Sequence, residues 1–366
     1  SPLELKLEKN ARVSRFQRVR TKDRVLFSRQ LATLINAGLP LVQSLRSVAS
    51  QTENKPLRAI INEVISDVEA GSTFSSSLEK HPQTFNKVYT SLVAAGEASG
   101  TLDSGLARLA DQQEKDADII AKVRGAMMYP MIVLMVMLAV VGFMIIKVLP
   151  QVQGIYSSIQ GAHLPFITVA LLDISKFATH EWYIVVILVV VISVFGTRFG
   201  RTLTGKSLVD TFKMRAWPIG PLFMKMYMAR FARTATTLVS SGVPLIQVLE
   251  ITSDAVNNVH ISDSIHKAIE KVKGGKALSD SLMNDKNFLV LVPNMLHIGE
   301  ESGAMETMLE KVADYFEKEV DNQVKAISTI IEPVMMVIMG VMALIIVAAI
   351  LLPIYGLVNQ TGFNGN

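Results

Sequence analysis

The sequence predicts an all-α membrane protein with two repeated cytoplasmic helical bundles, of about six helices each, and three transmembrane helices. Three observations predict it. Half of the 366-residue chain is hydrophobic (50%) and only 19% is charged, giving a mean hydropathy of +0.36, and the excess is gathered into three stretches. The chain matches itself at an offset of 204 residues. Outside the apolar stretches the hydrophobic period is helical, and no segment alternates with period two long enough to make a strand.

Taken in order, residues 1–22 form a basic N-terminal segment with no apolar run of the kind export requires, so no signal peptide is expected. Residues 23–128 form the first cytoplasmic helical domain. Leu57, Ile60, Ile61, Val64 and Val68 fall at i, i+3, i+4, i+7 and i+11, one face of a helix. The run 129–149 has Lys147 as its only charge. Roughly 20 apolar residues cross the ~30 Å hydrocarbon core, so this is the first span. Pro130 stands at its start, where a missing N–H is expected to matter least. Residues 150–181 are an external loop, and 182–197 the second span, short but anchored by Trp182 and Tyr183. A cytoplasmic linker, 198–225, leads to the second helical domain, 226–332. Ile261, Ile265, Ile269 and Val272 repeat the apolar face there. The third span, 333–355, is uncharged and starts at Pro333, and 356–366 form an external tail.

Charge orients these segments. Of 36 Lys and Arg residues, 18 lie in 1–128 and 16 in 197–332, leaving only Lys147 and Lys176. The positive-inside rule places both large segments in the cytoplasm, which requires a second crossing between them. The C-terminus is then expected outside, in the periplasm if the cell has one.

The repeat is specific. Phe27–Leu45 aligns with Phe231–Leu249 with nine of 19 positions identical, among them Phe27/Phe231, Arg29/Arg233, Gly38/Gly242 and Pro40/Pro244. At an offset of 203, Gly96-Glu97-Ala98-Ser99-Gly100 matches Gly299-Glu300-Glu301-Ser302-Gly303, Pro130 matches Pro333 and Pro150 matches Pro353. Gly38 and Gly242 read as left-handed C′ caps, and Pro40 and Pro244 as N1 residues of the helices that follow.

Few residues suggest chemistry. Cys is absent, which excludes disulfides and thiolate metal sites, and six scattered His have no ligand spacing. A net charge of +4, spread along the chain, does not suggest nucleic acid. Gly200-Arg201-Thr202-Leu203-Thr204-Gly205-Lys206-Ser207 spells a Walker A loop, but such a loop needs a strand before it, and here a membrane exit precedes. It reads as a basic juxtamembrane segment. Gly96, Gly100, Gly299 and Gly303 read as sites of close helix contact and capping. Glu97 and Glu300 could form a helix-turn hydrogen bond or a contact or ion site between copies, subunits or partners. Asp111, Glu114, Asp116 and Asp118, echoed by Asp314, Glu317, Glu319 and Asp321, read as a solvated helix face. The Met-rich spans read as packing. No catalytic constellation and no cofactor site is expected, so the chain is not read as an enzyme. A polytopic transporter would want polar or broken mid-membrane helices, which the first and third spans lack. A membrane-bound nucleotide-binding protein would rest on residues 200–207 alone.

The run Arg29–Leu41, its second form from Ala229 through Pro244-Leu245, and the two Gly-Glu-x-Ser-Gly turns resemble the type II secretion system F family, from about Asp23 to Pro353. The resemblance implies an inner-membrane platform protein of a type IV pilus or type II secretion machine. It implies a hexameric assembly ATPase as partner on the cytoplasmic side, pilin or pseudopilin subunits in the membrane, other inner-membrane assembly proteins, and homo-oligomers. It implies no catalytic residues.

Overall fold

In the computed structural model, residues 19–148, 150–151, 154, 169, 173, 182–200, 202–217 and 219–362 are described. The expected external loop and the extreme N-terminus lie mostly outside them. The described residues are helical, without strands, and divide into two compact units, 1–122 with 210–323, and 123–209 with 324–366.

The first unit holds both repeats. Repeat one contains α1 (Thr21–Asn36), α2 (Leu41–Gln51), α3 (Lys55–Glu69), α4 (Phe74–Glu79), α5 (Lys87–Ser99) and the start of α6 (Leu102–Phe143). After α7 (Trp182–Phe199) and α8 (Leu203–Arg215), repeat two contains α9 (Gly220–Ser240), α10 (Leu245–Val256), α11 (Val259–Lys273), α12 (Leu278–Leu282), α13 (Leu291–Ser302) and the start of α14 (Met305–Gly362). Each repeat is thus six helices, as the periodicity predicts. The core repeats too. Phe27, Leu45, Leu57, Ile61, Leu78, Phe85 and Leu106 are buried, and so are Phe231, Leu249, Ile261, Ile265, Leu282, Phe288 and Leu309 at equivalent positions.

One equivalent pair differs in polarity. In repeat one the buried Tyr89 hydroxyl hydrogen-bonds Ser28 Oγ at 3.2 Å. Burial raises the Tyr89 pKa, so the phenol stays neutral. In repeat two Ala232 and Val292 fill these places, and both are buried. Hydroxyl and partner are replaced together because a buried hydroxyl left alone costs about 1–3 kcal/mol.

Two details differ from the expectation. Pro40 and Pro244 are N-caps rather than N1 residues, with ψ of 144° and 141°. An extended ψ cannot lie inside the helix, yet their carbonyls accept the first helical bonds, from Ser44 and Val248 at 2.9 Å each. The linker also contains structure, since α8 occupies much of it and α9 begins at Gly220. Asp210 of α8 is buried and accepts from the Val259 N–H at 3.0 Å, at the start of α11, and Met214 packs on the core.

The second unit is apolar. Two helices are long and apolar enough to cross a membrane, over Leu102–Val148 and Met305–Ala348, and Val190–Phe199 is a shorter apolar helix. Their large side chains face outward, including Met131, Met135, Phe195, Val337 and Leu344. The helix α6 ends in a π-turn, Met144–Val148. Pro130 was expected at a helix start, but it lies inside α6, and Pro333 lies inside α14. The apolar run keeps the helix going through both, since a chain in lipid has no other way to satisfy its backbone. Each Pro still removes one bond, leaving the carbonyls of Ala126 and Thr329 without their helical donors.

Candidate functional site: duplicated clamps and the seam between repeats

Glu97 and Glu300 do the same local work in each repeat. The Glu97 carboxylate, on α5, accepts from the backbone N–H groups of Phe74 (2.5 Å) and Ser75 (2.8 Å) at the start of α4. Glu300, on α13, accepts from those of Leu278 (2.6 Å) and Ser279 (3.1 Å) at the start of α12, and from the Ser279 hydroxyl. A carboxylate at a helix N-terminus satisfies orphan donors and meets the positive end of the dipole. The flanking glycines let the next helix start close by. A Cβ on Gly96 would sit 3.1 Å from Leu102 Cα, and one on Gly299 would sit 3.0 Å from Met305 Cα. Gly100 and Gly303 turn the chain at φ of 73° and 69°, a left-handed conformation that favours Gly. Gly38 and Gly242 hold the C′ position at φ of 84° and 77°.

The acidic series is not only a solvated face. Arg29 donates through Nε to Glu114 at 2.6 Å and also hydrogen-bonds Asp111. Arg233 donates through Nε to Glu317 at 2.7 Å and through Nη2 to Asp314 at 2.5 Å. This fork ties the first helix of each repeat to its last. The hydrogen bonds that Arg29 donates to Glu114, then Asp111, raise its pKa, and the bond from Arg29 lowers that of Glu114. Burial works against the Arg233 charge, but Glu317 and Asp314 outweigh it and the pKa rises. The signal was present in the sequence as the Arg29/Arg233 identity beside the echoed carboxylates.

The two repeats meet along a polar seam. The helix α5 packs on α9 and α10, with Lys87 facing Asp254 at 3.5 Å. Gln112 of α6 donates to Thr234 Oγ1 at 3.0 Å, and both residues are buried. Arg230 faces Asp116 at 3.9 Å. Arg108–Glu306 (3.7 Å), Lys115–Glu317 (3.4 Å) and Lys122–Asp321 (2.8 Å) bridge α6 and α14 in step, so the two helices run in the same direction here. A cleft of about 370 Å³ opens in the seam beside Arg24, Gln112, Asp116 and Arg230. Burial raises the pKa of Asp116 against the pull of Arg230, and lowers that of Arg24.

The Walker-like segment has no phosphate-loop geometry. It joins α7, which ends at Phe199, to α8, which begins at Leu203. Lys206 lies within α8, and a Cβ on Gly205 would meet the Phe199 carbonyl at 1.9 Å. A helix stands where the loop needs a strand. Among the described residues no group of His, Asp or Glu could hold a metal ion.

The family model for type II secretion system (T2SS), protein F matches the chain twice, over residues 27–150 and 231–353. The chain belongs to the type II secretion system protein F family. The two matches coincide with the internal repeat. The type IV pilus assembly protein PilC of Pseudomonas aeruginosa is 35% identical over 363 residues, 99% of this chain and 97% of that protein. PilC of Thermus thermophilus is 39% identical, over 92% of this chain and 83% of that protein. The type II secretion system protein F of Vibrio cholerae is 34% identical, over 92% and 82%. In this protein F family member the duplicated residues form clamps, turns and forks within each repeat.

Proposed function

We propose that this chain is the inner-membrane platform of a type IV pilus or type II secretion machine, a structural component that couples a cytoplasmic assembly ATPase to insertion or extraction of pilin-like subunits. The observation that carries the reading is likeness along nearly the whole chain to assembly and secretion proteins, on both repeats at once. Relatives named type IV pilus assembly proteins are 34–39% identical and those named protein F 33–34%, which favours the pilus. The platform crosses the membrane three times, through the apolar parts of α6, α7 and α14, with residues 23–128 and 226–332 in the cytoplasm. The 34-to-2 distribution of basic residues supports that topology. The hexameric ATPase meets the cytoplasmic repeats, pilin subunits meet the spans, and other inner-membrane assembly proteins and further copies of the chain complete the assembly.

Two experiments test it. Deleting the gene abolishes surface pili or secretion, and restoring the chain restores them; unchanged pili and secretion contradict the proposal. Single cysteines are then placed at the exposed Ser76 and Lys276 and at Asn364, the last outside the described residues. A membrane-impermeant thiol reagent applied outside reaches only position 364. Labelling at 276 from outside overturns the topology.

A further inference from the structure

The seam between the repeats is one-sided. It joins α5 and α6 of repeat one to α9 and α10 of repeat two, and its ion pairs between α6 and α14 run one way, from Arg108, Lys115 and Lys122 of repeat one to Glu306, Glu317 and Asp321 of repeat two. A two-fold arrangement would bury the reciprocal set as well, α13 and α14 against α1 and α2. The structure leaves key positions of that set in the open. Lys87, which faces Asp254, corresponds to Val290, which is 67% exposed. Gln112, buried on Thr234, corresponds to Tyr315, 49% exposed. Arg230, which faces Asp116, corresponds to Leu26, 54% exposed. Three seam positions that are polar where the repeats meet are thus large and apolar where nothing covers them.

A contact between unlike faces of two similar units leaves one copy of each face unused, and adding units repeats the contact in the same sense. We propose that a second copy of this chain docks its α1–α2 face, centred on Leu26, onto the α13–α14 face of the first, centred on Val290 and Tyr315. The internal seam is repeated between chains, head to tail. The parallel run of α6 and α14 supports this occupant. An operation that keeps these helices parallel lets every added copy enter the same bilayer, which few other protein contacts guarantee. The apolar exchange supports it too. The internal seam never separates and tolerates polar pairs, whereas a contact between chains must be driven by burial of apolar area. The inference names the surface for the self-association in the platform reading, but stands on repeat geometry alone.

The chain contains no Cys, so engineered thiols report without background. Full-length chains bearing Leu26→Cys and chains bearing Tyr315→Cys are co-expressed in membranes and oxidised. The proposal expects a cross-linked dimer of unlike chains at least tenfold above either single variant alone. It also expects a ladder of multimers when both cysteines lie on one chain. Tyr315→Glu should abolish the larger species in detergent, with helix content unchanged because the position is exposed. Cross-links between like positions, indicating a two-fold dimer, overturn the proposal. So does the absence of any cross-link, including the case where both thiols are shielded by a different protein. Neither failure affects the platform reading, which the gene deletion tests separately.

Discussion

Substituting Glu300 with Ala removes the clamp at the start of α12. Two backbone N–H groups and the Ser279 hydroxyl lose their acceptor. Hydrogen bonds to a charged group contribute about 1.5–3 kcal/mol each, but a half-buried turn recovers part of this from water, so the net loss is about 2–3 kcal/mol. Glu97→Ala should cost less, about 1–2 kcal/mol, because α4 has a second cap. Thr73 Oγ1 accepts from the Ser76 N–H at 3.2 Å, whereas the equivalent N-cap of α12 is Ala277, which has no side-chain cap. Hydrogen exchange of the full chain in detergent reads both directly. Peptides covering residues 277–283 should exchange roughly 30- to 150-fold faster in Glu300→Ala, and those covering 73–79 roughly 5- to 30-fold faster in Glu97→Ala. Adding Ala277→Thr to Glu300→Ala should restore about 1 kcal/mol. Equal losses in the two repeats, or unchanged exchange in Glu300→Ala, would refute the assignment of these carboxylates as helix clamps.

Two further predictions concern the repeats. Ser28→Ala should destabilise repeat one by about 1–3 kcal/mol by stranding the Tyr89 hydroxyl, and Ser28→Ala with Tyr89→Phe should recover most of it; denaturant midpoints that simply add would contradict the pairing. The forks differ in burial: Arg29 and Glu114 are 37% and 41% exposed, Arg233 and Glu317 only 13% and 19%. Arg29→Ala should therefore cost about 0.2–1 kcal/mol, and Arg233→Ala about 1.5–3 kcal/mol. The folded-state pKa of Glu114 is depressed below its ordinary 4.5, so its contribution is complete above that value and is lost as pH falls through the depressed one. Denaturation of Arg29→Ala should lack this acid-dependent component; an unchanged acid profile would count against the fork.

Much of this fold is legible in the sequence because a duplicated chain prints its constraints twice. The apolar faces of α3 and α11, the Gly38/Gly242 turns and the Gly-Glu-x-Ser-Gly ends are all visible as repeated letters at fixed spacing. Partners distant in sequence are less visible. Periodicity shows that Glu114 and Glu317 lie on a helix face, but not that the first helix brings an Arg to them 85 and 84 residues away. The choice left open for Glu97 and Glu300, a turn or a contact between copies, depends on where a short helix begins, and short helices have little periodic signal. Pro130 misleads for a different reason. Local propensity places Pro at a helix start, but an apolar run that must satisfy its own backbone continues through it. Residues 203–215 have the composition of a linker, and only the fold shows Asp210 closing the start of α11.

The central proposal is that this chain carries motion from an assembly partner into the membrane. The helices α6 and α14 run from the two repeats into the apolar segments, over Leu102–Phe143 and Met305–Gly362, with Pro130 and Pro333 at equivalent points. A continuous helix is a stiff rod rising 1.5 Å per residue, and ion pairs such as Lys122–Asp321 hold the two rods together within the repeats. The direct test inserts a flexible Gly/Ser segment between Lys122 and Tyr129 and another between Lys325 and Glu332. Membrane insertion and ATPase binding are measured alongside fibre assembly or secretion. The account predicts that insertion and binding persist while assembly fails. Assembly at the normal rate with both rods interrupted would contradict it and leave the protein a passive scaffold.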